Sequence, residues 1–173
     1  MNIAFPVQIT NTIRVREKHI LILINRLSTP SFYIIFPIAI PFIRIMICYQ
    51  HTLETFLADK LYYLNKVMNG CDLFYEIGLP RFFHLDHPVG SVMGRAKYGE
   101  GFSFGQNCTV GNNRGIYPVL GENVRMCANS SIIGNCNIGD NVIIGANSGV
   151  KDENIPDNSL VFGYSPHLII KQR

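Results

Sequence analysis

The sequence predicts a mostly β chain: a triangular parallel β-helix over residues 71–173, preceded by a helical segment over residues 1–70. Three observations carry this. All fifteen glycines lie from Gly70 onward, so the two parts differ in backbone grammar. Aliphatic residues recur every sixth position in the second part. In the first part, Phe56, Leu57, Leu61, Leu64 and Val67 fall at helical spacing within ETFLADKLYYLNKV.

The N-terminal part reads as two to four helices, broken near Pro30 and again from Pro37 to Pro41. Its longest uncharged run, LSTPSFYIIFPIAIPFI, has 17 residues and three prolines. That length is marginal for a bilayer span, and the prolines interrupt it, so it reads as a buried or interfacial helical segment. Residues 1–70 carry seven Lys/Arg against three Asp/Glu. This basic excess is a solvated face or a surface for peripheral membrane contact.

The period-six pattern is clearest downstream. Leu120, Met126, Ile132, Ile138, Ile144 and Val150 are all aliphatic or Met, and Val124, Ser130, Cys136, Val142 and Ser148 follow the first five at four residues. A helix repeats every 3.6 residues and a simple strand every 2, so neither gives this period. A three-sided coil does, with one hexapeptide per side, a large residue inside and a small one near the corner. The pattern extends upstream as Val92, Tyr98, Phe104 and Val110, with Ala96, Phe102 and Cys108. One residue of slippage separates this from Leu73, Leu79 and Leu85, with Ile77, Phe83 and Val89. Val110 and Leu120 are ten apart, so GNNRGIYPV must leave the prism as a protruding loop. About four coils are expected.

Composition narrows the function. A net charge of +3 is too small to imply nucleic acid. The five cysteines are odd in number and form no C-x-x-C pair, which argues against a metal or disulfide framework and for free thiols in a reducing cytosol. The first residues lack the pattern of a secretory leader, so a cytoplasmic location is expected. A charged fraction of 16% is low for a lone monomer, so apolar surface is expected to meet other subunits.

The repeat resembles the left-handed β-helix acyltransferases. Within that group, residues 71–170 resemble serine acetyltransferases and their relatives in surface-sugar modification, on the match of LDHPVGSVMG to L-D-H-A-T-G-I-V-V-G. The resemblance implies acetyl transfer from acetyl-CoA to a hydroxyl, in a homotrimer that can pair into a dimer of trimers, with active sites between subunits and no metal. His87 stands at the family's catalytic histidine, and Asp72, fifteen residues earlier, stands at the aspartate that orients it. Histidine suits the base role because its pKa lies near neutrality. A carboxylate one coil away can hold its tautomer and stabilise the imidazolium. By resemblance Asp86 faces the acceptor, while His84 has no family role and reads as a wall residue. The resemblance further places the pantetheine beside the backbone of Ala128 and Ala146. Lys151 and His167 would lie near the nucleotide phosphates.

One departure is informative. Where serine acetyltransferases carry Arg-His-Pro in the loop, this chain has Ile116, Tyr117 and Pro118. Isoleucine cannot grip a carboxylate as a guanidinium does. Arg114 could substitute, and Tyr117 supplies a phenol for hydrogen bonding or for stacking on a sugar ring. The reading therefore favours a sugar or surface-polysaccharide precursor as the small-molecule acceptor. The alternatives are serine, as in cysteine biosynthesis, and a non-catalytic β-helix scaffold.

Overall fold

The computed structural model describes residues 55–74 and 76–173. The predicted helix breaks and the uncharged run before residue 55 lie outside the described residues, as do the side chains of Phe56 and Leu57. The described chain is one short helix followed by a parallel β-solenoid of about five turns. This is one turn more than the expected four, because the Leu73 to Leu85 register forms a full coil.

Helix α1 (Thr55–Asn69) stops at Gly70, whose φ of +59° places it in the left-handed region and whose N–H reaches back to the Lys66 carbonyl at 3.0 Å. Its buried side carries Ala58 and Asn65, with Leu61 and Tyr62 half-buried. Leu64 and Val67 face outward, so the apolar stripe read from the sequence is not the packed one. Asn65 replaces it, donating to the Cys71 carbonyl at the foot of the prism.

The coils have three walls. The first stacks β1 (Asp72–Leu73), β3 (Val92–Met93), β5 (Thr109–Gly111), β8 (Ser131–Ile133) and β11 (Gly149–Lys151). The second stacks β2 (Phe83–Leu85), β4 (Phe102–Phe104), β7 (Arg125–Met126), β10 (Ile143–Ile144) and the start of β12 (Ser159–Tyr164). The third pairs β6 (Val119–Leu120) with β9 (Asn137–Ile138) and is extended by bridges from Lys97 and Ile155. Strand β13 (His167–Gln172) folds back antiparallel on β12 and covers that end of the prism.

Register puts like on like. Leu73, Met93, Val110, Ile132 and Val150 stack inside the first wall, and Leu85, Phe104, Met126, Ile144 and Val161 inside the second. Leu120, Ile138 and Ile155 line the third. All of these are buried. Val124, Ser130, Cys136, Val142 and Ser148 are buried beside the corners, as the small position of the repeat requires. Two predicted inner residues are not inside: Val92 is 42% and Val89 is 52% exposed, while Met93 is fully buried. The slippage read as one residue is a net value. Leu85 and Met93 are eight apart and Met93 and Tyr98 five, so two residues are added at one corner and one is removed from the next wall.

The corners are set by asparagine. Asn107, Asn123, Asn129, Asn141, Asn147 and Asn158 all adopt φ between 52° and 60°. Asparagine tolerates this region because its short amide bonds locally. Here the amides also bond to one another up the stack, Asn107 to Asn129 and Asn129 to Asn147 at 3.0 Å, and Asn123 to Asn141 to Asn158 at 3.2 and 3.1 Å.

Two substitutions separate wall from corner. Ile144→Ala should lower unfolding free energy by about 2–5 kcal/mol, read from urea denaturation, because the stack above and below cannot close on the void. Asn129→Gly keeps the corner backbone accessible but removes both amide bonds, and should cost less, about 1–2 kcal/mol.

Candidate active site

The two residues added after Leu85 make the turn that carries His87. In the other coils two residues separate the end of the second wall from the corner asparagine: Gly105 and Gln106 before Asn107, Cys127 and Ala128 before Asn129, Gly145 and Ala146 before Asn147. In the first coil the corner position is Gly90, and Asp86, His87, Pro88 and Val89 fill the space where two residues stand elsewhere. The alignment follows from main-chain bonds: Gly90 N–H donates to the Gly70 carbonyl, and Asn107 N–H to that of Val89. Gly90 is required here, since at φ +75° an added Cβ would stand 2.0 Å from Asn107 Oδ1.

His87 has φ 52°, an uncommon value for histidine that the surrounding turn enforces. Its carbonyl accepts from Val89 N–H at 2.8 Å, and the Pro88 carbonyl from Ser91 N–H at 3.1 Å. The ring is thereby held out from the prism edge, 57% exposed, with Nε2 3.6 Å from Asp86 Oδ1. Above it on the same edge stand Gln106, Ala128 and Ala146, a column whose upper side chains are small.

Asp72 begins β1 beneath Val92, two residues past the Gly90 corner. Its N–H donates to the Ser91 carbonyl at 2.8 Å, so residues 70–72 and the His87 turn are bonded at two points. Its carboxylate is held from below by α1. The Tyr62 hydroxyl donates to Oδ1, and Lys66 Nζ stands 2.6 Å from Oδ2. The hydrogen bond and charge of Asp72 raise the Lys66 pKa. Burial, aided by the Asp72 charge, pushes the neighbouring Cys71 thiol up to about 12, which leaves it protonated and inert.

The remaining predicted site residues divide between edges. Arg114 and Tyr117 lie on the loop between the first and third walls, a different edge from His87. The loop is a tight turn closed by reciprocal 3.0 Å bonds between Asn113 and Ile116, with Arg114 at φ 52°. Ile116 and Tyr117 are exposed, as the ten-residue gap predicted. Lys151 ends β11 on that same edge. His167 opens β13 opposite Tyr164, and Tyr164 pairs with Gly149, so His167 stands near the top of the Ala128 and Ala146 column. Within one protomer the structure gathers His87, Asp86, Ala128 and Ala146 on one edge with Asp72 beneath. It does not bring Arg114, Tyr117 or Lys151 to them. His84 points outward from the second wall, consistent with its reading as a wall residue.

Sequence reasoning missed two groups. Tyr62 and Lys66 are four apart on α1, a spacing that puts them on one face, but nothing in the sequence points that face at Asp72. Arg95 lies 4.5 Å from the Phe74 ring and is paired with Glu76; Glu76 chiefly, and then Tyr117, hold its guanidinium above the ordinary pKa. Among the described residues no group of three or more His, Cys, Asp or Glu could hold a metal ion, and no helix is long and apolar enough to cross a membrane.

A period-six prism with a histidine turn at one edge has known counterparts. Residues 117–152 match the bacterial transferase hexapeptide (six repeats) model. The chain carries hexapeptide repeats and is similar to serine acetyltransferases. The serine acetyltransferase of Staphylococcus epidermidis is 34% identical over 122 residues, which cover 61% of this chain and 52% of that protein. The enzyme of Staphylococcus xylosus is 30% identical over 118 residues, 65% of this chain and 54% of that one. Among solved structures, a serine acetyltransferase in complex with CoA superposes with TM-score 0.72 at 26% identity, over 82% of this chain and 60% of that one. The Neisseria gonorrhoeae serine acetyltransferase gives 0.70 at 27%, over 82% and 57%. The chain spans about half the length of the curated relatives it matches.

The loop bearing Arg114 and Tyr117 is tied down by Asp152, whose carboxylate accepts from Asn135 N–H at 2.8 Å and from the Asn113 amide. These bonds lower the Asp152 pKa below its ordinary value, the backbone bond first. A depressed folded pKa stabilises above the unfolded value of about 3.9 and is lost as pH falls through the lower folded value. Asp152→Asn should therefore lower the melting temperature at pH 7, and the gap to wild type should close below about pH 3, followed by circular dichroism.

Proposed function

We propose that this chain is an acetyl-CoA-dependent O-acetyltransferase, with serine as its hydroxyl acceptor. The observation that carries the reading is the L-D-H turn. It presents His87 at the base of the Ala128 and Ala146 column, in a chain whose relatives are serine acetyltransferases. In this reading acetyl-CoA lies along that column, with its nucleotide end towards His167 and towards the Lys151 edge of a neighbouring protomer. The imidazole of His87 takes the hydroxyl proton as the oxygen attacks the thioester carbonyl, and returns it to the leaving CoA sulfur as the C–S bond breaks. Asp72 orients the imidazole and stabilises the cation that forms. Asp86 faces the acceptor.

The assembly belongs to the same proposal. Arg114, Tyr117 and Lys151 stand on a different edge from His87, so a site using all of them needs two protomers, as in a trimer with sites between subunits. Four free cysteines among the described residues fit a reducing cytoplasm.

One observation favours a second acceptor. The exposed loop carries Ile116 and Tyr117 where a carboxylate-gripping arginine and a histidine would stand, and a half-exposed phenol suits an uncharged polyol. In that reading the acceptor is a sugar or surface-polysaccharide precursor.

Thiol release from acetyl-CoA in the presence of L-serine, or of a panel of hexoses and N-acetylhexosamines, separates the two. Serine is expected to give the higher kcat/KM, and a higher value for a sugar would transfer the assignment. His87→Ala should lower the rate by about 10²–10⁴-fold. An intact rate in that variant would end the catalytic reading. No heat of CoA binding in calorimetry would leave only a scaffold.

A further inference from the structure

We infer that Tyr62 and Lys66 of α1 are positioning residues for His87, acting through Asp72; this rests on the proposed reading of His87 as the base and Asp72 as its orienter. A carboxylate that orients an imidazole must itself be held in one rotamer. Asp72 is only partly shielded, its side chain being 21% exposed, so the wall strand alone does not fix it. Both of its oxygens are instead engaged from the helix side, Oδ1 by the Tyr62 hydroxyl and Oδ2 by Lys66 Nζ. The Tyr62 ring is fixed in turn by an edge-on contact with Phe74 at 6.3 Å. The Asp72 backbone N–H donates to the Ser91 carbonyl, at the far end of the His87 turn. Helix, carboxylate and histidine turn therefore form one connected unit at the foot of the prism.

The electrostatic consequence has a definite sign. Asp72 carries a negative charge and Lys66 the positive charge that balances it, so removing either one changes the field at the foot of the prism. Among the described residues, the other titratable groups near these are Asp86, 3.6 Å from the ring, Tyr63 beside Lys66, and the protonated Cys71. None of them replaces the Lys66 charge. The helix thereby holds a carboxylate that belongs to the prism, and in this reading α1 supports the site from outside the repeat.

The His87 pKa is measured directly, by NMR titration of the full chain labelled at histidine, in wild type, Lys66→Met, Lys66→Arg, Tyr62→Phe and Asp72→Asn. Lys66→Met should raise the pKa by about half a unit or more, Asp72→Asn should lower it, and Lys66→Arg should restore the wild-type value. The acid limb of kcat/KM, followed by thiol release with acetyl-CoA and the better acceptor, should move to higher pH in Lys66→Met by the same amount. Tyr62→Phe should lower kcat about tenfold with little change in KM, by loosening the carboxylate. A His87 pKa unmoved in both Lys66→Met and Asp72→Asn would overturn the inference whatever the activity. Lost activity in Lys66→Met with an unmoved limb would also overturn it, since a merely structural role predicts that pattern. Activity that survives His87→Ala would instead fail the catalytic reading, a result the titration does not produce.

Discussion

The structure depends on one constraint: each coil must place its main-chain hydrogen bonds in register with the coil below. The walls are two or three residues long, too short to hold together alone, and gain their stability from stacking. Register then dictates the interior, because a residue in phase inside one coil lies on a residue in phase inside the next. It also dictates the corners, where the chain must turn through a backbone conformation that most side chains avoid. Asparagine meets both demands. It accepts the left-handed φ, and its amide continues the hydrogen-bonding that the turning main chain interrupts.

The site arises where this regularity is broken. Every ordinary corner on the His87 edge has two residues between wall and asparagine. The first coil has four, and a glycine replaces the asparagine because the next asparagine's amide occupies the space of a Cβ. Within this turn Pro88 is buried, while His87 and Val89 project, since the interior is filled by Leu85 and Met93. A histidine displayed at a prism edge is thus a consequence of inserting residues into an otherwise regular repeat. The same reasoning applies to the loop bearing Arg114 and Tyr117, where the insertion falls on a different edge and is held by Asp152.

The two ends of the prism are closed in different ways. At the top, β13 pairs with β12 and covers the last coil. At the bottom, α1 lies against β1 and supplies Asn65 to the Cys71 carbonyl, together with Tyr62 and Lys66 to Asp72. This end cap is polar where it meets the first coil. That explains why the helix turns Asn65 inward and Leu64 and Val67 outward, against the apolar pattern of its sequence.

Much of this was legible in the sequence. A period of six excludes helix and simple sheet, because their repeats are fixed by local geometry, and it marks the coils from Leu120 to Val150 residue by residue. The L-D-H motif marked the turn, and the ten-residue gap marked the loop. The sequence was less informative where insertions and deletions cancel. Between Leu85 and Tyr98 a gain of two and a loss of one look like a single slip, and only pairing of β3 with its neighbours puts Met93 inside and Val92 outside. The count of five coils and the separation of His87 from Tyr117 onto different edges depend on that pairing. The partners of Asp72 were also decided by the tertiary structure, since a helix face carries no sequence signal for the carboxylate it will meet. Local periodicity fixes which residues face inward; the stacking of coils and the docking of the helix fix which side chains meet.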